Sequence, residues 1–134
     1  MKNILEKMNI TEKDMEISAF ELCSDLNEEV KRKFRTLLKK YLNDINVLSL
    51  LWAGYLLHEK LEKEMPEINR EDPVNLVTDE ILGMSIANYI GGTNAIFNLK
   101  RYDEKKPGIL SKLGPMLDDV VGGLIAGVMT KTFE

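Results

Sequence analysis

The sequence predicts an all-α protein, a compact single-domain bundle of about five to seven helices with no significant sheet. Three observations predict it. Apolar residues recur at three- and four-residue spacing along most of the chain, the strict alternation of a half-buried strand is scarce, and helix-starting and helix-stopping residues bracket the periodic segments. At 134 residues the chain is one domain, 1–134, long enough to bury roughly two thirds of the surface that its unfolded chain exposes.

The elements follow in order. Ile4, Leu5 and Met8 form a short apolar stripe, and Thr11 followed by Asp14 is an N-cap pattern opening a helix through about Cys23. The next helix begins near Asn27. Val30, Phe34, Leu37, Leu38, Tyr41 and Leu42 make its apolar face, and Lys31, Arg32, Lys33, Lys39 and Lys40 a basic outer face. Asn43 and Asp44 break or recap the chain before Ile45 to Lys63, whose middle, from Val47 to Leu57, is nearly all apolar. That segment is expected to be the central, buried helix. Pro66 to Pro73 reads as a loop, and a helix follows to about Ile90, stopped by Gly91 and Gly92. Thr93 is expected to recap a short turn through Phe97, and the polar, charged segment Asn98 to Pro107 reads as a second loop. Pro115 suits the first turn of a last helix that continues to about Lys131.

Composition narrows the function. Hydrophobic residues make up 44% and charged residues 30%, as in soluble globular domains rather than disordered or fibrous chains. A net charge of −4 gives no basic field for a polyanion, so nucleic acid is not an expected partner. The single cysteine, Cys23, excludes an internal disulfide and multi-cysteine zinc sites, and fits a reducing cytosol. Met1 to Lys13 interleaves charges with apolar residues, unlike a signal peptide, so a cytoplasmic location is expected. Ile45 to Leu57 and Ile81 to Phe97 approach membrane character, but both fall short of the roughly twenty apolar residues that span a bilayer. The number of apolar helix faces, more than one small core covers, favours a homodimer.

The residues that carry chemistry are acidic pairs set in apolar helices. Asp79 and Glu80 lie in Leu76 to Leu82, and Asp118 and Asp119 in Met116 to Val121. Adjacent helical residues point about a hundred degrees apart, so at least one carboxylate of each pair faces inward. An unpaired ionised carboxylate in a core costs several kcal/mol. A hard divalent cation compensates that cost, and magnesium, which takes oxygen ligands, fits best. Glu59, just after the apolar run from Trp52 to Leu57, is a candidate third source of ligands. Each pair also reads as a helix N-terminal charge or a lysine ion pair.

Between the acidic helices lies Lys100-Arg101-Tyr102-Asp103-Glu104-Lys105-Lys106-Pro107-Gly108. Arginine binds phosphate oxygens with two parallel hydrogen bonds and lysine supplies a point charge, so Lys100, Arg101, Lys105 and Lys106 are candidate phosphate-binding residues. A stretch of this kind is also, commonly, a solvated surface turn. Other catalysts lack their parts: there is no Gly-rich loop ending in Gly-Lys-Ser/Thr, and His58-Glu59 is not followed by the second histidine of a helical zinc-protease motif.

Asp79-Glu80-Ile81-Leu82-Gly83-Met84, Arg101-Tyr102-Asp103 with Lys106-Pro107, and Leu117-Asp118-Asp119 with Gly122-Gly123 resemble phosphatidylglycerophosphatase A. The resemblance runs from about Asp44 to Phe133 and is weaker in the N-terminal helices, 1–43. Asp72-Pro73-Val74, Lys105 to Leu110 and Gly122 to Gly127 are most similar to its soluble archaeal branch, the alpha-ribazole phosphatases. The resemblance implies a magnesium-dependent phosphatase of a small phosphorylated substrate, with removal of the 5′-phosphate of alpha-ribazole 5′-phosphate in cobamide (cobalamin) nucleotide-loop assembly.

The expected site therefore has Glu59, Asp79, Glu80, Asp118 and Asp119 around one or two magnesium ions. Asp79, Asp118, Asp119, Arg101 and Asp103 are the catalytic candidates, Asp103 either orienting Arg101 or reaching the metal through water. Three other readings stay open. One is a phosphatidylglycerophosphate phosphatase at a membrane surface, and another a non-catalytic helical interaction module. The third is an all-helical nucleotide pyrophosphohydrolase, for which Glu59-x-x-Glu62 supplies one of two expected motifs.

Overall fold

A computed structural model describes residues 3–64 and 77–134. The loop expected at Pro66 to Pro73 and the Asp72-Pro73-Val74 motif lie outside the described residues. Within them are seven α-helices, one short 3-10 helix and no strand. These are α1 (Ile4–Met8), α2 (Glu12–Glu21), α3 (Glu28–Leu42), α4 (Ile45–Glu64), α5 (Thr78–Gly91), α6 (Thr93–Lys105), the 3-10 turn Gly108–Ser111, and α7 (Pro115–Thr132).

The N-terminal helices start where their caps dictate. Thr11 and Asp14 form a reciprocal capping box on α2, and the Asn27 side chain accepts from the Val30 N–H at the start of α3. Asp44 opens α4 by accepting from the N–H groups of Asn46 and Val47 at 2.8 and 3.3 Å. Phe34, Leu38 and Tyr41 of α3 are buried, as the spacing requires.

The central helix is α7, not α4. Almost every residue of α7 from Met116 to Met129 is buried, whereas α4 buries Val47, Leu51, Gly54 and Leu61 and leaves Ile45 and Leu56 exposed. The cause is side-chain size. A helix is enclosed on all sides only if its neighbours come close, and Gly122, Gly123, Ala126 and Gly127 allow that approach on α7. At the tightest point a Cβ on Gly83 of α5 would stand 2.5 Å from the main-chain oxygen of Asp119, and one on Gly123 would collide with the Gly83 carbonyl. Further along, Ile90 and Gly91 meet Gly127, so α5 and α7 run side by side in the same direction.

The segment read as a short turn and a charged loop is one helix. α6 runs from Thr93, which is its first residue rather than its cap, through Lys105. Gly92, with φ +75°, makes the break before it. Charge had masked the period: Ala95, Leu99 and Tyr102 are buried and spaced by four and three residues, and the Tyr102 hydroxyl donates to the Ala19 carbonyl at 2.8 Å. α6 packs antiparallel to α7. The Asn98 amide donates to Ala126 and Thr130, and Leu99 lies against Gly122.

Candidate active site

The helix directions converge on one end of the bundle. α5 and α7 both begin there, so Asp79, one turn before Gly83, and Asp119, one turn before Gly123, are brought side by side. α6, running the other way, ends there and delivers Asp103 and Lys106. Two N-terminal helix dipoles thus point at the acidic groups and favour their negative charge.

Asp103, Asp118 and Asp119 each offer an oxygen within 4.8 Å of the others. Asp119 is buried, Asp118 half-buried and Asp103 exposed. Behind them Asp79 is 2% exposed, and its Oδ1 is buried without a hydrogen-bond partner among the described residues. The Lys106 ammonium donates to Asp118 Oδ2 at 2.6 Å and to Asp103 Oδ1 at 3.3 Å.

The crowding shows in the titration of these groups. Burial chiefly lifts the Asp118 carboxyl to about 6. The hydrogen bond and charge of Lys106 oppose the rise, and the negative charges of Asp103 and Asp79 add to it. Asp119 is pushed far above the ordinary carboxylate range, first by burial, then by hydrogen bonds shared with Asp79 and Asp103 and by the charge of Asp118. Burial works against the Lys106 ammonium, yet its contacts with Asp118 raise its pKa overall. One lysine does not neutralise four carboxyl groups, so the cluster either holds protons or takes a cation.

The cluster fits a hard divalent ion on two counts. Its donors are all oxygens, the set that magnesium prefers. The buried, unpartnered Asp79 Oδ1 beside Asp119 is the polar orphan that such an ion would satisfy.

A groove of about 350 Å³ opens beside the cluster, lined by Glu80, Met84, Ile96, Phe97, Leu99, Lys100, Asp103 and Asp119. Met84, Ile96, Phe97 and Leu99 make its lining largely apolar, Glu80 and Lys100 add charge, and Phe97 is 69% exposed. Lys105 is exposed on the last turn of α6.

Two expected site residues lie elsewhere. Arg101 points to the opposite side of α6, donating to the Asn98 side chain at 3.0 Å and the Leu22 carbonyl at 2.9 Å. It lines a second cavity of about 500 Å³ with Cys23, Ser24, Asp25, Asn94, Asn98 and Thr130 among others. A helix puts residues 101 and 103 about two hundred degrees apart, so once the segment is helical Arg101 and Asp103 cannot share a site. Glu59 accepts from the Tyr55 hydroxyl at 2.5 Å and pairs with Lys63 at 3.5 Å, outside the three-carboxylate cluster. Its pKa is lowered, above all by the Tyr55 hydrogen bond.

Asp103 is the residue whose position the sequence left least defined. The signal that finds it is the register Leu99, Tyr102, Lys106, which makes α6 a helix and sets Asp103 one turn beyond the buried Leu99.

The class of protein, a phosphatase, follows from a family match. The chain matches the family model of phosphatidylglycerophosphatase A over residues 21–134 and belongs to that family. It is 46% identical over 116 residues to uncharacterized protein MJ1330 of Methanocaldococcus jannaschii, covering 81% of this chain and 91% of that one. Its fold is shared with the low temperature requirement C protein from Listeria monocytogenes, with a TM-score of 0.78 and 24% identity over 95% of this chain and 88% of that one. A protein of unknown function from Bacillus stearothermophilus superposes with a TM-score of 0.81 and 24% identity, over 97% and 93% of the two chains. Among the described residues no helix is long and apolar enough to cross a membrane.

Proposed function

We propose that this protein is a magnesium-dependent phosphomonoester hydrolase whose substrate is alpha-ribazole 5′-phosphate. The observation that carries the reading is the meeting of Asp79, Asp103, Asp118 and Asp119 at one helix-dipole end beside an apolar groove. Asp79, Asp103, Asp118 and Asp119 would hold one or two magnesium ions, with Glu80 in the groove lining and Glu59 as a more distant candidate. Bound magnesium supplies charge neutralisation for the phosphoryl group and makes water a better nucleophile.

The chain's own residues do the rest. Lys106, Lys100 and Lys105 neutralise phosphoryl oxygens at the groove's polar end. Met84, Ile96, Phe97 and Leu99 receive the leaving alcohol and keep bulk water from it. Water attacks phosphorus, the P–O ester bond breaks, and the cluster's carboxylates take the proton that the water gives up and pass it to the departing ester oxygen, which leaves as the alcohol. A volume of about 350 Å³ lies in the range of small-molecule sites, roughly 300 to 1,000 Å³. That size favours a nucleotide-like monophosphate. A cytoplasmic location and a homodimer belong to the same reading, the dimer supported by exposed apolar side chains outside the groove, among them Ile45, Leu56 and Ile81.

The test is a screen of phosphomonoesters that includes alpha-ribazole 5′-phosphate and phosphatidylglycerophosphate, each with magnesium and with chelator. The reading expects magnesium-dependent release of phosphate and preference for the ribazole ester. Undiminished turnover in chelator would falsify the metal role. Preference for the lipid, with binding of the protein to vesicles, would favour the second reading, which the exposed Phe97 in the groove lining supports.

A further inference from the structure

Lys106 occupies an unusual place for a residue read as a phosphate ligand. It caps α6 in the left-handed region, at φ +44°, with its N–H bonded to the Tyr102 carbonyl at 2.8 Å. Pro107 follows directly, and Gly108, also left-handed at φ +56°, packs on Ser18. The main chain is therefore fixed, and only the four-carbon side chain is left to move. That side chain is 41% exposed, whereas the Asp118 side chain it grips is 10% exposed.

The oxygens that Lys106 holds, Asp118 Oδ2 and Asp103 Oδ1, belong to two of the three carboxylates whose oxygens converge within 4.8 Å. A divalent ion among those carboxylates competes with the ammonium: each carboxylate has lone pairs for both, but two positive charges a few ångströms apart in a half-buried cluster repel. Asp119 and the orphaned Asp79 Oδ1 lie deeper in the same cluster, so a cation that satisfies them stands next to the lysine.

Resting on the metal reading above, we propose that Lys106 is an exchangeable counter-ion: it neutralises Asp118 and Asp103 before metal binds, and is displaced by the metal to take the phosphoryl group of the substrate. Its positive charge is thereby used twice. In the metal-free protein it limits repulsion among the carboxylates, and in the metal-bound protein it stands beside the groove, on a stem long enough to follow the phosphate. Metal binding and phosphate binding are linked through one side chain, each favouring the other.

The test is calorimetric titration of magnesium, then of inorganic phosphate, into wild type, Lys106→Gln and Lys106→Arg. The Gln variant is expected to bind magnesium about tenfold more tightly than wild type, the equivalent of removing one charge-assisted hydrogen bond that competes for the ligands. Its metal-loaded form should bind phosphate at least about tenfold more weakly, and Arg should restore phosphate binding in part. As a measurement that needs no variant, the ammonium-linked carbon signal of Lys106 in wild type, followed by NMR with 13C-labelled lysine, should shift on adding magnesium and again on adding phosphate. Equal or weaker magnesium binding by Lys106→Gln, or a Lys106 signal unmoved by saturating magnesium, overturns the exchange while leaving the metal site standing. No magnesium binding by any of the three proteins overturns both.

Discussion

The two sides of α6 carry similar materials and are built for different ends. On one side, Lys100, Asp103 and Lys106 meet the buried Asp118 and Asp119 beside a largely apolar groove. On the other, Asn94, Asn98 and Arg101 form a polar cavity in which the arginine is tied to a carbonyl and an amide. What separates them is burial of like charge. The first side confines carboxylates that repel one another, while the second satisfies its polar groups with neutral partners. Stored repulsion of this kind is what a site that binds a cation requires, and a tied-down arginine is what a structural junction requires.

Substitution on the two sides should therefore give opposite signatures. Asp119→Asn and Asp118→Asn should lower phosphatase activity by about a thousandfold, and should raise the melting temperature of the metal-free protein because a carboxyl whose ionisation the fold disfavours is gone. A fall in that melting temperature would count against the stored-repulsion account. Asp103, at the exposed edge of the cluster, should matter less, Asp103→Asn costing about ten- to a hundredfold in kcat/KM.

Gly83→Ala probes the support beneath the site. Its methyl group would stand 2.5 Å from the Asp119 carbonyl, so a loss of about 2 to 3 kcal/mol is expected in denaturant unfolding, with weakened metal binding. Stability near wild type would mean that the two helices separate easily.

The metal-free protein should also be more stable at pH 5 than at pH 7.5. Asp118 binds its proton up to about pH 6 when folded, and Asp119 is raised in the same direction. Above the ordinary carboxylate value, up to about pH 6 for Asp118 and beyond it for Asp119, the folded state therefore carries more protons than the unfolded one, and stability falls as pH rises. Saturating magnesium should shrink the difference between thermal melts at the two pH values. The smallest effect is expected on the far side of α6. Arg101→Ala should leave kcat/KM within about threefold of wild type and cost about 1 kcal/mol of stability through the lost hydrogen bonds. A loss of phosphate binding there would return Arg101 to the site.

The legibility of this molecule in its sequence follows the same division. Caps at Thr11 and Asn27, the stop at Gly92 and the start at Pro115 are local chemistry, and local chemistry reads directly from residues. The inward turn of one carboxylate in each acidic pair, Asp79 and Asp119, was legible because a charge inside an apolar run is conspicuous wherever it falls. Arg101 was misplaced because charged residues hid the 95, 99, 102 spacing, and without the helix there is no rule that sends residues 101 and 103 to opposite sides. The central position of α7 was hidden for another reason. An apolar run such as Val47 to Leu57 reads as a core helix, but enclosure depends on how close neighbouring backbones come, which the glycines of α7 decide.

The contact between Gly83 and Gly123 has a consequence for ion choice. Both aspartates one turn away, Asp79 and Asp119, hang from backbones already at their closest approach, so the gap between their carboxylates has a floor set by main-chain atoms. Magnesium demands ligands at about 2.0 to 2.1 Å and calcium accepts about 2.3 to 2.6 Å, so helices packed this closely bring the two carboxylates near the shorter ligand distance. Adding one methyl group at either glycine should shift the preference of the site toward the larger ion.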